Sequence, residues 1–560
     1  MLKSGKSKLS LLALALSATV FWPAAGMAQD ATGTLTGVIK DSAGAPVEGA
    51  FVQMKNAERR LNFMVITHAG GKYTNDRLPA GKYVVQAIGG ELQSAASAPV
   101  EVALGKSASV DLALTVQRAP ALPPAWPGRE PGARGEEADA GAAAADALPA
   151  GDGKTIIEAK CNFCHDSQRI VRQHNEPARW QQLVGTMKSY AQGSTLAKPI
   201  TDDEEKVLLA YFNANFGPGA GKQRPKPDPL ARLPRTLVPP EARDYIVVEY
   251  ELANGRAEPH EMAVDPIGNG WVSQRVGGKI GRLDVHTLQY VEYEPPAAGS
   301  KAVRLNGIRR GNNGEFWMVD GGPNRRWLSF DPKTERFMVY NLPQTKAGSA
   351  SGNTMRVLQD NSVWLAALAA NQVIRLDPAD SKFTIYEVPA GVARGKSASP
   401  YGMAVDGAGN VWVVENAVDQ VARIDPKTGK FEEFPIPVKD PTARKMGADW
   451  DGNVWVGLHG VGKLMRIDYK TLAMTVYSPP TADAGLYLAD PDPKNHVMWA
   501  TEQHVDKIAR LDPATGTWTE FPLITAETDV RRIEVDPNNT KRVWYSGVLS
   551  SKVGFIEMLN

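Results

Sequence analysis

Val411-Trp412-Val413-Val414 followed by Val421-Ala422-Arg423-Ile424-Asp425 decides the fold, because the pair recurs. A Trp-bearing apolar strand precedes an Arg-x-Asp strand, or a close variant of it, at Trp271, Trp317, Trp364, Trp455, Trp499 and Trp544. The seven units lie about 40 to 50 residues apart, a period that marks stacked supersecondary units. Each has room for an inner strand before the Trp strand and an outer strand after the Arg-x-Asp strand, such as Phe431-Glu432-Glu433-Phe434. Four strands at this period predict a propeller blade. The seventh unit lacks an outer strand, and Tyr245-Ile246-Val247-Val248-Glu249-Tyr250 has a strand pattern but no blade. This early strand is expected to close the ring by supplying the missing one, which protects the sheet edges.

The propeller is expected over 244–560, after a Pro- and Arg-rich linker at 219–243. Within 151–218 stands Cys161-Asn162-Phe163-Cys164-His165. The pattern C-x-x-C-H is an attachment signal for a c-type haem. Its two thiols can bond one porphyrin covalently, and the following histidine is placed to ligate the iron. The chain has two cysteines, both in the motif. A zinc site would need further ligands nearby. Two helical patterns follow, one through Trp180, Leu183, Val184 and Met187, the other through Val207, Leu208, Tyr211 and Phe212. Thr201 and Glu204 form a capping box before the second. Met187, on the apolar face of its helix, is the candidate distal iron ligand; His174 is the rival, and ordinary core packing is the plain alternative for Met187.

Residues 1–28 read as a secretory signal peptide, with Lys3, Lys6 and Lys8, an apolar run over 9–21 and Gly26-Met27-Ala28 before the cut. Export agrees with haem attachment outside the cytoplasm, so the periplasm is the expected compartment. Residues 29–117 alternate as short strands with turns at Gly44, Gly70-Gly71 and Gly81, predicting a β-sandwich. Residues 118–150, dominated by Pro, Ala, Gly and Glu, read as a flexible linker. The fold class is therefore mainly β and multidomain: an N-terminal β-sandwich, a small α-helical cytochrome c domain and a C-terminal seven-bladed β-propeller. The 52 glycines and 40 prolines agree with a chain rich in turns. With 63 Lys plus Arg against 62 Asp plus Glu, net charge supports no nucleic-acid partner.

Three segments resemble known families. Gly37-Val38-Ile39, the run Asp41-Ser42-Ala43-Gly44-Ala45-Pro46-Val47, Gly71-Lys72-Tyr73 and Leu78-Pro79-Ala80-Gly81-Lys82-Tyr83 resemble the carboxypeptidase regulatory-like, transthyretin-type sandwich, which implies a non-catalytic module. From Cys161 to Gly217 the C-x-x-C-H motif, Trp180, Met187 and the acidic helix ending in Tyr211-Phe212 resemble the small cytochromes c of quinohaemoprotein amine dehydrogenases. The blades over 245–560 resemble virginiamycin B lyase. That resemblance implies an elimination with a histidine base and bound magnesium. Ala257-Glu258-Pro259-His260 matches its site motif, so Glu258 and His260 are the candidate catalytic residues. Gln274 stands where a metal-binding glutamate is expected, and Arg531-Arg532 where a second histidine is expected. Losing a carboxylate and gaining arginines disfavours Mg2+ and favours an anionic ligand. Pro400-Tyr401-Gly402 matches a further family motif, while Asp320, Glu415, Glu502, His504 and His459 could line the same face or form a polar rim.

Two functions remain in view. One is an exported mono-haem electron carrier whose propeller binds a ligand or a redox partner. The other is an enzyme, either a metal-dependent lyase or an oxidoreductase that passes electrons to the haem. No G-x-G-x-x-G follows a strand and opens a helix, so no nucleotide cofactor is expected from the sequence.

Overall fold

The computed structural model describes residues 32–118, 148–160, 175–193, 199–217 and 234–560, the last apart from 298–301, 322–323, 343–351, 353, 369, 396 and 527. The expected signal peptide, most of the first linker and the C-x-x-C-H motif lie outside the described residues.

The sandwich forms as the alternation predicts. Strand Gly33–Asp41 turns every second residue inward. It pairs with Lys72–Leu78 and with the short strands Ser107–Ser109 and Leu112–Leu114. The second sheet holds Phe51–Asn56 between Leu61–Ile66 and Gly81–Gly89. Leu35, Ile39, Val52, Met54, Tyr73, Tyr83 and Val85 are buried in one cluster with these strands.

The blades follow the predicted order. Six four-stranded sheets run inner strand, Trp strand, Arg-x-Asp strand and outer strand, from Pro259–Val264 to Thr517–Pro522. The repeated tryptophan has a double role. Trp271, Trp412 and Trp455 donate Nε1–H to Asp265, Asp406 and Asp449 at 3.0, 2.8 and 2.9 Å. The same aspartates accept backbone N–H groups from the turn ahead of the Trp strand. Each ring also stacks on an outer-strand aromatic, Tyr293, Phe434 or Tyr477. Turn and sheet are thus fixed by one side chain.

The seventh blade closes as expected. Val530–Val535, Arg542–Gly547 and Lys552–Met558 are completed by Tyr245–Glu251, in register from Tyr245↔Met558 to Glu251↔Lys552. Hydrogen bonds join the two ends of the ring: Val264 N donates to Glu534 Oε1 at 3.0 Å and Arg532 Nε to the Met262 carbonyl at 3.2 Å.

The sandwich was expected as a separate module, and here the structure adds something. Leu61–Ile66 pairs antiparallel with the free side of Tyr245–Glu251, through Met64↔Val247, Phe63↔Val248, Asn62↔Glu249 and Leu61↔Tyr250. The seventh blade and one sandwich sheet are therefore one ten-stranded sheet. Residues 234–243, read as the end of a linker, lie along the sandwich. Val238 N donates to the Gly49 carbonyl, and Arg243 pairs with Glu48 at 3.1 Å.

Between these parts lies a helical region: α1 (Asp152–Lys160), α2 (Pro177–Gly193) and α3 (Asp202–Phe216). The Thr201–Glu204 capping box is present, with bonds of 2.8 and 3.2 Å. Trp180, Val184, Leu208, Tyr211, Phe212 and Phe216 make its core. Gly153 of α1 lies against Tyr211 of α3, where a Cβ would come within 2.3 Å of the ring. No helix among the described residues is long and apolar enough to cross a membrane.

Glu249 on the closing strand is fully buried. It accepts from Tyr545 Oη, Thr525 Oγ1 and Lys552 Nζ at 2.8, 2.6 and 2.9 Å. Truncating it leaves the Lys552 ammonium unpaired beside a buried strand, a loss of about 3 kcal/mol. Glu249→Ala is expected to lower the denaturation midpoint accordingly, and Lys439→Ala, an exposed control, to leave it unchanged; both are read by urea unfolding.

Candidate functional site

The inner strands of six blades carry a register shift; the one between Asn306 and Ile308 holds Gly307, and each of the other five presents a large side chain at the same end of the ring. In these five the shift falls between Pro259 and Glu261, Pro400 and Met403, Ala443 and Met446, Leu486 and Ala489, and Val530 and Ile533. A bulge re-aims the residue it contains. The residues so placed are His260, Tyr401, Arg444, Tyr487 and Arg531. They form a mouth in which Tyr401 Oη and Tyr487 Oη are hydrogen-bonded at 2.5 Å and the Arg444 guanidinium lies 5.8 Å from the Tyr401 ring centre. Arg531 is forked onto Asp529 at 2.8 to 3.2 Å, and its Nη1 lies 3.5 Å from His260 Nε2. A guanidinium only donates, so this contact engages the basic lone pair of the imidazole.

His459, His504 and Gln503 complete this side. The two imidazole rings are 4.5 Å apart, and His459 Nε2 lies 2.6 Å from Gln503 Oε1. The Gln503 amide in turn donates to Asp529. Burial and the neighbouring Arg444 hold His459 well below the usual imidazole range, and burial lowers His504. These histidines are neutral side chains of an arginine-rich mouth.

Glu258 stands at the rim with φ near 50°. The left-handed step recurs just before the inner strand at Ser399, Thr442, Gly485 and Asp529, so it belongs to the blade design rather than to Glu258 alone. Its carboxylate takes the Arg275 fork, with Nε at 2.7 Å, and lies 3.9 Å from Arg179 Nη2 of α2. The helical region thereby touches the rim beside His260. A cation at Glu258 would have to displace Arg275. Gln274 donates Nε2–H to Glu292 at 2.8 Å and Tyr290 at 2.9 Å, inside its own blade. No group of three or more His, Cys, Asp or Glu is placed to hold a metal among the described residues.

The remaining candidates separate. Asp320 binds Arg326 and Asn324 at 3.1 and 2.7 Å. Glu415 and Glu502 are fully buried at the ends of Trp strands, each against an outer-strand carboxyl, Glu433 and Glu520. They are neither rim nor mouth. Burial and then Glu433 push the Glu415 carboxyl up to about 8. Cys161, Cys164, His165 and His174 lie outside the described residues; Met187 is half-buried against the helical core.

The fold is that of a seven-bladed propeller with an aromatic and arginine-lined mouth, extended by a sandwich. The virginiamycin B lyase family matches residues 242–487 and 304–559, more than half of the chain in all. The chain belongs to that family. The carboxypeptidase regulatory-like domain matches residues 34–115. Among solved structures, a streptogramin B lyase is similar at 22% identity with a TM-score of 0.50, covering 56% of this chain and 98% of the other. Virginiamycin B lyase from Staphylococcus aureus is similar at 19% identity and a TM-score of 0.49, covering 56% and 99%. At such identity the streptogramin B lyase likeness shows the fold alone. No curated protein matches the chain.

A carboxyl raised from 4.5 to about 8 in the folded state keeps its proton where the unfolded chain has lost it. The folded state then binds more protons, so stability is lost as pH rises from about 4.5 to 8, at a slope approaching about 1.4 kcal/mol per pH unit. Glu415→Gln, which keeps the neutral shape, should flatten this part of the profile and raise the melting temperature at pH 8. Thermal unfolding across the pH range checks it.

Proposed function

We propose that this chain is an exported electron carrier with one covalent haem c, whose propeller mouth binds a ligand or a redox partner in the periplasm. The observation that supports this reading is that α1 ends at Lys160, the residue before Cys161 in the sequence. Lys160 Nζ is bound to Glu204 at 2.6 Å and to the Pro199 carbonyl at 2.7 Å, so the end of α1 is tied to the helical core. The donor set suits the group. Two thiols in C-x-x-C would tether a porphyrin, His165 would ligate the iron, and Met187 offers a thioether from the edge of the same core. Such ligation supplies reversible one-electron chemistry, and a methionine ligand raises the potential.

The protein's own residues would tie that chemistry to the propeller. Arg179 stands one residue before Trp180, whose indole anchors to the Phe216 carbonyl at 2.8 Å, and reaches Glu258 at the mouth. A ligand or partner held by Arg444, Arg531 and the two tyrosines would therefore lie beside the helical region.

A second reading is a streptogramin-type lyase, favoured by family membership and by His260 at the mouth. Against it stand Arg531 on the imidazole lone pair and Gln274 turned into its blade. If that reading holds, the exported chain opens a streptogramin B ester with added Mg2+, and His260→Ala abolishes the opening.

The electron-carrier reading is tested by optical spectra of protein exported with haem maturation. Oxidised protein should show the weak far-red band of a methionine sulphur–iron bond. Met187→Ala should remove that band and keep the covalent haem, whereas Cys161→Ser with Cys164→Ser should abolish attachment. Protein that carries no covalent haem defeats the proposal.

A further inference from the structure

One step deeper than the mouth, the propeller axis is filled with charge. Glu261 follows His260, Lys445 follows Arg444, and Arg532 follows Arg531. Glu261 takes Arg309 Nη1 on one oxygen at 2.5 Å and the Lys445 ammonium on the other, joining blades one, two and five across the ring. Arg532 pairs with Glu534 at 2.6 Å. Asp490 accepts the Val535 N–H at 3.0 Å, and its carboxyl is pushed up to about 6 by burial in spite of Arg532. Arg356 donates to the Met355 and Met446 carbonyls and makes no ion pair among the described residues.

The balance is uneven. With the Lys445 ammonium counted, although burial and then Arg532 and Arg531 push it well below its usual range, four cations, Arg309, Arg356, Lys445 and Arg532, face three carboxyl groups, Glu261, Asp490 and Glu534. Lys445 is fully buried and Arg309 is 6% exposed. Arg309 Nε and Nη2 are buried and have no acceptor. Buried guanidinium donors without acceptors are costly, and so is an uncompensated buried charge. Arg532 acts electrostatically on both Arg309 and Arg356, and Arg309 on Arg356, so the three guanidinium groups share one electrostatic neighbourhood.

We propose that the axis binds one small anion, inorganic or carboxylate, at Arg309, Arg356 and Arg532, completing the charge balance beneath the mouth. The site is independent of whether the chain carries haem or acts as a lyase. A planar fork suits such an ion better than a point charge does.

The test compares the full chain in sodium chloride with the same chain in sodium gluconate at equal ionic strength, gluconate being too bulky for a closed axis. Chloride should raise the melting temperature by at least about 2 °C. Arg356→Gln removes one cation without orphaning a carboxylate and should lose the shift. Crystals of the unsubstituted protein in bromide should give an anomalous peak beside Arg309, a readout that does not depend on the variant folding. Equal melting in both salts with no bromide peak would show that an uncharged Lys445 keeps the balance, and would overturn the proposal. A shift that persists undiminished in folded Arg356→Gln places the anion elsewhere and overturns it too.

Discussion

Everything in this chain is hung on one strand, Tyr245–Glu251. Its one side closes the propeller against Lys552–Met558 and its other side receives Leu61–Ile66 of the sandwich. A ring of blades has two ends, and unpaired they would be open edges exposing unpaired N–H and C=O groups. Residues 245–249 are buried without alternation, as expected for a strand covered on both faces. Glu249 is the polar exception, and it is tolerated because three donors converge on it. The sandwich consequently gains a neighbour for its own edge strand. The same pairing fixes it against the seventh blade in a way that a flexible tether could not.

Blade packing then dictates where chemistry can sit. Seven inner strands surround a narrow axis, and long side chains from non-adjacent blades meet across it. Glu261 of the first blade reaches Lys445 of the fifth, and Arg356 of the third reaches the Met446 carbonyl. The axis is therefore closed rather than an open pore. Among the described residues, the ring at the bulges, His260, Tyr401, Arg444, Tyr487 and Arg531, forms the mouth at one end of it.

Much of this was legible in the residues. The Trp strand and the Arg-x-Asp strand carry strong, repeated chemistry, so seven units and the closing strand could be read directly. The capping box at Thr201 was equally local. What could not be read is tertiary. Glu258 looks like a free carboxylate in its motif, but Arg275 and Arg179 arrive from a loop and from another region. Glu415 and Glu502 follow the Trp positions as a rim residue would, yet the fourth strand of each blade covers them with Glu433 and Glu520. Arg309, Arg356 and Lys445 carry no motif at all. The blade repeat places Arg531 at the position matching His260, and carrying the same alignment to the fifth and sixth blades would have added Arg444 and Tyr487, so that part of the mouth had a signal.

The substitutions around His260 are best understood together. An imidazole that is to take a proton needs its lone pair and a neighbour able to accept charge. Arg531 occupies the first and, being cationic, opposes the second, since protonating His260 would set two positive groups side by side. Gln274 has no charge to offer a divalent ion and spends its amide on Glu292. Arg275 already neutralises Glu258. These contacts all set positive charge or donor groups where a divalent cation would have to bind, and the axis below adds the buried Arg309 donors without acceptors. The Glu-Pro-His motif thus sits in this chain with a guanidinium beside its carboxylate and another beside its imidazole.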